Sequence, residues 1–381
     1  MSVTHATGFT AAGLVVGLKS SGGKDLAIVR NLGPSQAAAA VFTSNRAQAN
    51  PIIWSKQVIG DGIVGAIVLN SGGANCYTGS AGFQVTHATA EAVADKLSIS
   101  ATDVLVCSTG LIGDQLPLDK ILAGVTAAEL TADGGADAAL AIMTTDSRPK
   151  TSVNQQDGWS IGGMAKGAGM LAPGLATMLV VITTDADLAS SALDAALREA
   201  TRVSFDRLDS DGCMSTNDQV TLLASGASGI VPAEAEFQAA LTAVCADLAL
   251  QLQGDAEGSS HDITIETVNA RSEDDAVEVG RAVARNNLFK AAVFGNDPNW
   301  GRVLAAVGTT AAEFDPYDID VSINHVMVCR SGEPGESRDL VDLHPRAVHV
   351  LIDLKVGDAT ARVLTNDLTH DYVHENSAYS S

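Results

Sequence analysis

The sequence predicts an α/β protein with one large domain and a smaller second one, and three observations carry that expectation. Short apolar runs rich in valine and isoleucine, such as Ile63 to Leu69, alternate with longer stretches whose apolar residues recur at three and four positions. The 381 residues are 46% hydrophobic and only 18% charged, enough to bury a large core. Breakers such as Ser21-Gly22-Gly23 and Asp133-Gly134-Gly135 separate the periodic segments.

In chain order, Leu14 to Leu18 and Asp25 to Arg30 read as strands flanking the first breaker, and Ala37 to Thr43 is a small-residue apolar run. Ile63 to Leu69 is continuous, short and partly β-branched, as expected of a strand buried on both faces. It enters Asn70-Ser71-Gly72-Gly73-Ala74-Asn75. That loop lacks the GK[ST] of a phosphate loop and the spacing of a dinucleotide site, so it reads as a tight turn ordered by its asparagines. Thr86 to Leu97 reads as a helix, and Asp103 to Cys107 as a strand delivering Ser108-Thr109-Gly110 at its end. Pro117 to Ala127 and Gly135 to Ile142 are helical, with Thr144-Thr145-Asp146 directly after them. Met178 to Thr183 reads as a strand and Ala192 to Ala200 as an amphipathic helix. Ser215-Thr216-Asn217-Asp218 is a polar turn into the strand Gln219 to Ala224. Ala233 to Gln253 is a long helix with Phe237, Leu241, Val244, Cys245 and Leu248 on one face. The remainder alternates: strand Asp262 to Val268, helix Asp274 to Arg285, strand Phe289 to Phe294 and helix Gly301 to Val307. Asp318 to Ser322 pairs with Val326 to Cys329, and Val348 to Lys355 forms a hairpin with Ala359 to Leu364.

Composition excludes several classes of partner. The net charge is −22, with no run of lysine or arginine, so nucleic acid and acidic membrane surfaces are repelled and a small soluble substrate fits better. Cys76, Cys107, Cys213, Cys245 and Cys329 are odd in number and form no CxxC pair, which points to reduced thiols in a cytoplasmic protein. No apolar stretch reaches the length of about 18 residues that a membrane span needs. Asp206, Asp209 and Asp211 raise a metal site, but their spacing does not fit a calcium loop and Arg207 is expected to pair with one of them.

The stretch Lys166 to Leu179 carries the chemistry. Glycines lead through Pro173 to Thr177 at the mouth of an apolar strand, where a hydroxyl is held on a rigid element. A mid-chain threonine is a poor nucleophile. Were the Ala176–Thr177 bond broken, the freed α-amine, with a reference pKa of about 7.7–8.0, would serve as its general base. The Thr177 Oγ can attack the Ala176 carbonyl itself, shift the acyl group to oxygen and leave an ester for water. The bland alternative is a glycine-rich turn into a buried strand.

Lys166 to Leu179, with Ser108 to Gly113 upstream, resembles the signature of the ornithine acetyltransferases, the self-cleaving glutamate N-acetyltransferases of arginine biosynthesis. The resemblance extends through Leu69 to Asn75, Met143 to Asp146, Asp255 to Gly258, Asp297 to Val303 and Glu375 to Tyr379. One departure is Gly174, where many members carry a larger polar residue, often asparagine. The resemblance implies a layered sandwich of two β-sheets covered by helices, with a smaller α/β domain at roughly 235–345. It implies cleavage between Ala176 and Thr177 into fragments 1–176 and 177–381, which assemble as a dimer of such pairs, a heterotetramer. Thr177 is implied as nucleophile, and Thr109 and Gly110 as the oxyanion hole. Thr144, Lys166, Thr177, Glu257, Asn376 and the terminal Ser381 are implied as substrate contacts. Acetyl passes from N-acetylornithine to glutamate, releasing ornithine and N-acetylglutamate, with no metal or bound cofactor; acetyl-CoA is a second donor in some members. Two rival readings remain at this point: an amidohydrolase or aminopeptidase on the same self-processed scaffold, and an uncut small-molecule binding protein.

Overall fold

The computed structural model describes residues 2–172 and 178–378. The first half forms β1 (Phe9–Leu14), β2 (Leu26–Asn31), β3 (Ala37–Phe42), α1 (Asn50–Val58), β4 (Ala66–Ser71), α2 (Gly79–Leu97) and β5 (Val104–Thr109). It continues with α3 (Leu118–Ala127), α4 (Gly135–Ala141), β6 (Lys150–Gln155) and β7 (Ser160–Lys166). Then come β8 (Leu179–Thr184), α5 (Ser190–Arg202), β9 (Gln219–Ala224) and α6 (Glu234–Gln253). The strands make a four-stranded sheet, β1-β2-β4-β5, and a five-stranded one, β3-β9-β8-β7-β6.

The two sheets pack face to face, and the strand period of two decides which residue faces which layer. Leu179 and Val181 of β8 share a core with Val29, Ile67, Leu69 and Leu105 of the first sheet, on the face from which Thr109 meets Lys166. Val180 and Ile182, one residue out of phase, pack instead with Leu193, Leu197, Leu241 and Val244 of α5 and α6. With α1 and α2 against β5 on the other side, the order of layers is helices, sheet, sheet, helices. A strand covered on both faces reads as an unbroken apolar run, which is why β4, β5, β8 and β9 are buried at every position. Each valine, leucine or isoleucine so buried contributes about 1.5–3 kcal/mol.

The C-terminal portion builds a third sheet from β10 (Asp262–Ala270), β11 (Asp320–Ile323), β12 (Val326–Arg330), β13 (Glu333–Pro334), β14 (Ala347–Asp353) and β15 (Ala359–Asn366). Its order is β13-β12-β11-β14-β10-β15. Helices α7 (Glu273–Ala284), α8 (Asn287–Phe294) and α9 (Trp300–Val307) enclose a separate core of Ile263, Ile265, Val283, Val350 and Val363. Here only one face is covered, so β10 alternates buried and half-buried residues. The closing helix is α10 (His370–Ala378).

Three expectations are corrected. Residues 14–18 are not a strand, since β1 ends at Leu14. The buried Asp25 takes the N–H groups of Val16, Leu18 and Lys19, which a ladder would otherwise use. Residues 289–294 are helical, because Asn286 caps the segment by accepting from Phe289 N at 3.0 Å. β14 and β15 are not a hairpin: β10 lies between them, parallel to β14 and antiparallel to β15. Arg207 pairs with Glu273 at 2.7 Å, and Asp209 pairs with Arg285. The polar and glycine-containing strands β6 and β7 were not expected from the sequence at all.

Candidate active site

Register brings the loops of the first sheet to one edge. β4 and β5 run parallel with Ser71 opposite Thr109, so the turns after them leave side by side. Gly73 N donates to Thr109 O at 2.9 Å, and Asn70 both accepts from Ser108 Oγ at 2.6 Å and donates to Gly73 O at 3.1 Å. Asn217, from the turn before β9, donates to Ala74 O and Ser108 O at 2.6 and 2.9 Å. The asparagines thus order the turn as its sequence suggests. Gly110 follows with φ at +130°, and a Cβ there would lie 2.4 Å from Gly73 N, so only glycine fits.

From the second sheet, Lys166 ends β7 and is wholly enclosed. Its Nζ donates to Thr109 Oγ1 at 3.0 Å. That bond occupies the acceptor side of the hydroxyl and leaves its proton for another partner. Burial pushes the Lys166 ammonium below its usual range, although Asp146 pulls the other way.

Asp146 is the hub of a buried charge network. Its oxygens accept from Lys150 Nζ at 2.5 Å, Gly167 N at 2.7 Å and Thr144 N at 2.9 Å. Lys150 also reaches Asp255 at 2.6 Å. Burial alone would raise the Asp146 carboxyl, but the ammonium groups of Lys166 and Lys150 outweigh it and hold the acid below its ordinary value. The network fixes the backbone at Thr144 and just beyond Lys166, and through Asp255 it reaches the turn carrying Glu257.

Glu257 lies half-buried after α6, its N–H bonded to Ala168 O at 2.9 Å. Gly169 faces its carboxylate so closely that a Cβ would come within 2.5 Å of Oε2. Asn376 sits on α10, its amide donating to Tyr372 O at 3.0 Å. Thr109, Gly110, Thr144, Lys166, Glu257 and Asn376 line one cavity of about 250 Å³, together with Leu111, Ile112 and Met170. A larger cavity of about 320 Å³, with Asp211, Arg285, Lys290 and Tyr372 in its wall, lies on the other side of Glu257. Of these two cavities, Thr109 and Gly110 line only the smaller one. Ala176, Thr177 and Ser381 lie outside the described residues.

Sequence reasoning assigned no chemistry to Lys150, Asp255, Asn217 or Asp218, although the turn 215–218 is expected to line the site. The signal for the first was faint: Asp146 and Lys150 are four apart, a spacing that means pairing only once both are known to be buried. Cys107, by contrast, is the core residue its apolar run suggests, with burial pushing its thiol up.

Comparison with known proteins completes the picture. The family model described as ArgJ family matches residues 10–381. An arginine biosynthesis bifunctional protein ArgJ from Streptomyces coelicolor is 63% identical over 383 residues, covering 100% of both chains. One from Mycobacterium tuberculosis is 54% identical over 389 residues, covering 100% of this chain and 96% of the other. A crystal structure of ornithine acetyltransferase from Mycobacterium tuberculosis, complexed with ornithine, aligns with a TM-score of 0.45 and 53% identity. It covers 47% of this chain and 96% of that one. With its motifs in order and its full length matched at this level of identity, the chain belongs to the ArgJ family.

Proposed function

We infer that this protein is an acetyltransferase of arginine biosynthesis that moves the acetyl group of N2-acetyl-L-ornithine to L-glutamate. Whole-length identity of 63% to a bifunctional ArgJ protein supports the activity. The observation that carries the chemistry is the cavity wall in which Lys166 holds Thr109 by its oxygen beside Gly110. Preorganised donors of this kind stabilise the charge that builds on oxygen when a carbonyl is attacked.

The mechanism has two acyl transfers. The chain cuts itself between Ala176 and Thr177, and the freed amine of Thr177 takes the proton of its own hydroxyl. The Oγ attacks the acetyl carbonyl of the donor while the Thr109 hydroxyl and the Gly110 N–H hold the oxyanion. Ornithine leaves with a proton on its amine, and the α-amine of glutamate then takes the acetyl group from the threonine ester. Glu257 holds the substrate ammonium, and Lys166, Thr144, Asn376 and Ser381 complete the contacts. No metal or bound cofactor takes part; replacing N-acetylornithine by acetyl-CoA in the assay tests whether the latter is a second donor. The two fragments, 1–176 and 177–381, the latter including an α/β domain at roughly 235–345, remain together as a dimer of pairs in the cytoplasm.

The test is direct. Purified protein given N-acetylornithine and glutamate should form N-acetylglutamate and ornithine, and Thr177→Ala should remain one 38.9 kDa chain without activity. Release of acetate without acetylglutamate would instead make the protein a hydrolase.

A further inference from the structure

Lys290 is a buried ammonium with no acid of its own. It lies on α8 with only 6% of its surface exposed, and its Nζ donates to Ser210 O. An ammonium has three donors to place, and among the described residues no carboxylate forms an ion pair with this one. Two nearby acids are engaged elsewhere: Asp209 pairs with Arg285, and Asp367 accepts from Ser260 Oγ and pairs with His261. Burial pushes the Lys290 ammonium below the usual lysine range, and Asp211, Asp209 and Asp367 only temper this. Enclosing a charge is costly unless a counter-charge comes with it.

Lys290 lines the cavity of about 320 Å³ on the far side of Glu257. That cavity lies where the sandwich meets the C-terminal portion, with Ser210 and Asp211 from the one and Lys290 and Tyr372 from the other, a common setting for a small-molecule site. Asp211 and Glu257 line it as well, both half-buried, and among the described residues neither forms an ion pair. Asp211 accepts from Cys213 N at 3.1 Å, a bond that neutralises no charge. Burial, with these two acids close by, pushes the Tyr372 phenol up to about 12, so it remains a donor. Ala284 and Leu368 add an apolar part to the wall. One unpaired cation therefore shares an enclosed space with two unpaired acids, and the complement is a ligand that carries a carboxylate and an ammonium.

We propose that this cavity is a second binding site, for a free α-amino acid whose carboxylate meets Lys290 and whose ammonium lies between Asp211 and Glu257. The occupant is not positioned for acyl transfer, since neither Thr109 nor Gly110 lines this cavity. It is coupled to that reaction all the same. Among the described residues only Glu257 lines both cavities, so an ammonium held in the second draws on the carboxylate that serves the first. Occupancy therefore raises KM for the acetyl donor. This coupling rests on the reading of Glu257 as a substrate contact; the binding itself does not.

The proteinogenic L-α-amino acids, added singly to the whole protein, test this through its melting temperature, since a ligand that binds only the folded state raises it. At least one should raise that of the parent by several degrees and bind at least about tenfold more weakly to Lys290→Met, which keeps the bulk of the side chain without its charge. Asp211→Asn removes the partner of the ammonium and should weaken the same ligand, which keeps the test open should the methionine variant fail to fold. Neither residue lines the smaller cavity, so an amino acid held there shifts parent and variants alike. With the ligand so identified, KM for N-acetylornithine should rise with its concentration in the parent and stay level in Lys290→Met. The proposal is overturned if no amino acid stabilises the parent, or if each one that does stabilises both variants equally. Binding that is lost in the variants of a protein unable to form N-acetylglutamate leaves this site standing and removes the acetyl-transfer reading.

Discussion

Lys166 Nζ and Thr109 Oγ1 are joined by a 3.0 Å hydrogen bond that spans the sandwich, the lysine from the five-stranded sheet and the threonine from the four-stranded one. The Thr109 hydroxyl, proposed above as an oxyanion donor, is therefore positioned by the packing of two sheets, not by its own loop alone. Thr109→Ala should lower kcat about 10²–10³-fold, or about 2.7–4 kcal/mol, whereas Thr109→Ser, which keeps the hydroxyl, should retain most of the rate. Steady-state kinetics with N-acetylornithine as varied substrate checks both.

Gly110→Ala should be a stability defect as well as a catalytic one. The added methyl meets the Gly73 backbone in a conformation with φ of +130°, and strain of this kind costs about 1–3 kcal/mol before the clash is counted. Thermal unfolding should show a fall of several degrees, larger than for Thr109→Ser.

The Asp146 network makes a prediction about acid. Because the folded protein holds this carboxyl below its ordinary value, the folded state binds fewer protons than the unfolded chain in that interval. The stabilisation is full at neutral pH and fades as pH falls below about 3.9 toward the folded value. Asp146→Asn leaves Lys150 buried with half its partners and should cost about 3–5 kcal/mol at pH 7. Its melting temperature should also change less between neutral and acid pH than the parent's, which calorimetry across that interval measures.

Glu257→Gln should raise KM about tenfold or more while kcat changes little, since a charged hydrogen bond contributes about 1.5–3 kcal/mol and this carboxylate is proposed to bind substrate, not to make bonds. Gly169→Ala should act in the same direction by pushing the carboxylate aside. If instead kcat fell with KM unchanged, Glu257 would belong to the chemical step.

Much of this architecture was legible because burial leaves a period behind. The apolar runs around Ile67, Val106, Val181 and Leu222 announced strands covered on both faces, and the Phe237 to Leu248 stripe announced α6. What stayed hidden depends on tertiary partners. Lys166 looks like any loop lysine until Thr109 is found beneath it, and Asp146 and Lys150 look solvated until they are seen to be enclosed. Residues 347–366 mimic a hairpin because nothing in two consecutive strands reports that β10, some eighty residues earlier, slots between them. The helix Asn287–Phe294 mimics a strand because its four aromatic and branched residues outweigh the cap that starts it.

The five-stranded sheet takes β3, β6 and β7 from before residue 177 and β8 and β9 from after it, with six paired positions in each of the β7–β8 and β3–β9 ladders. A break at that residue would leave both ladders intact, so the halves would stay interlaced at no cost in backbone pairing. Reassembly after denaturation is another matter: the strands that zipped together as neighbours on a single tether would then have to find one another by diffusion. Recovery would depend on protein concentration, and the cut form would be held in place by how slowly it comes apart.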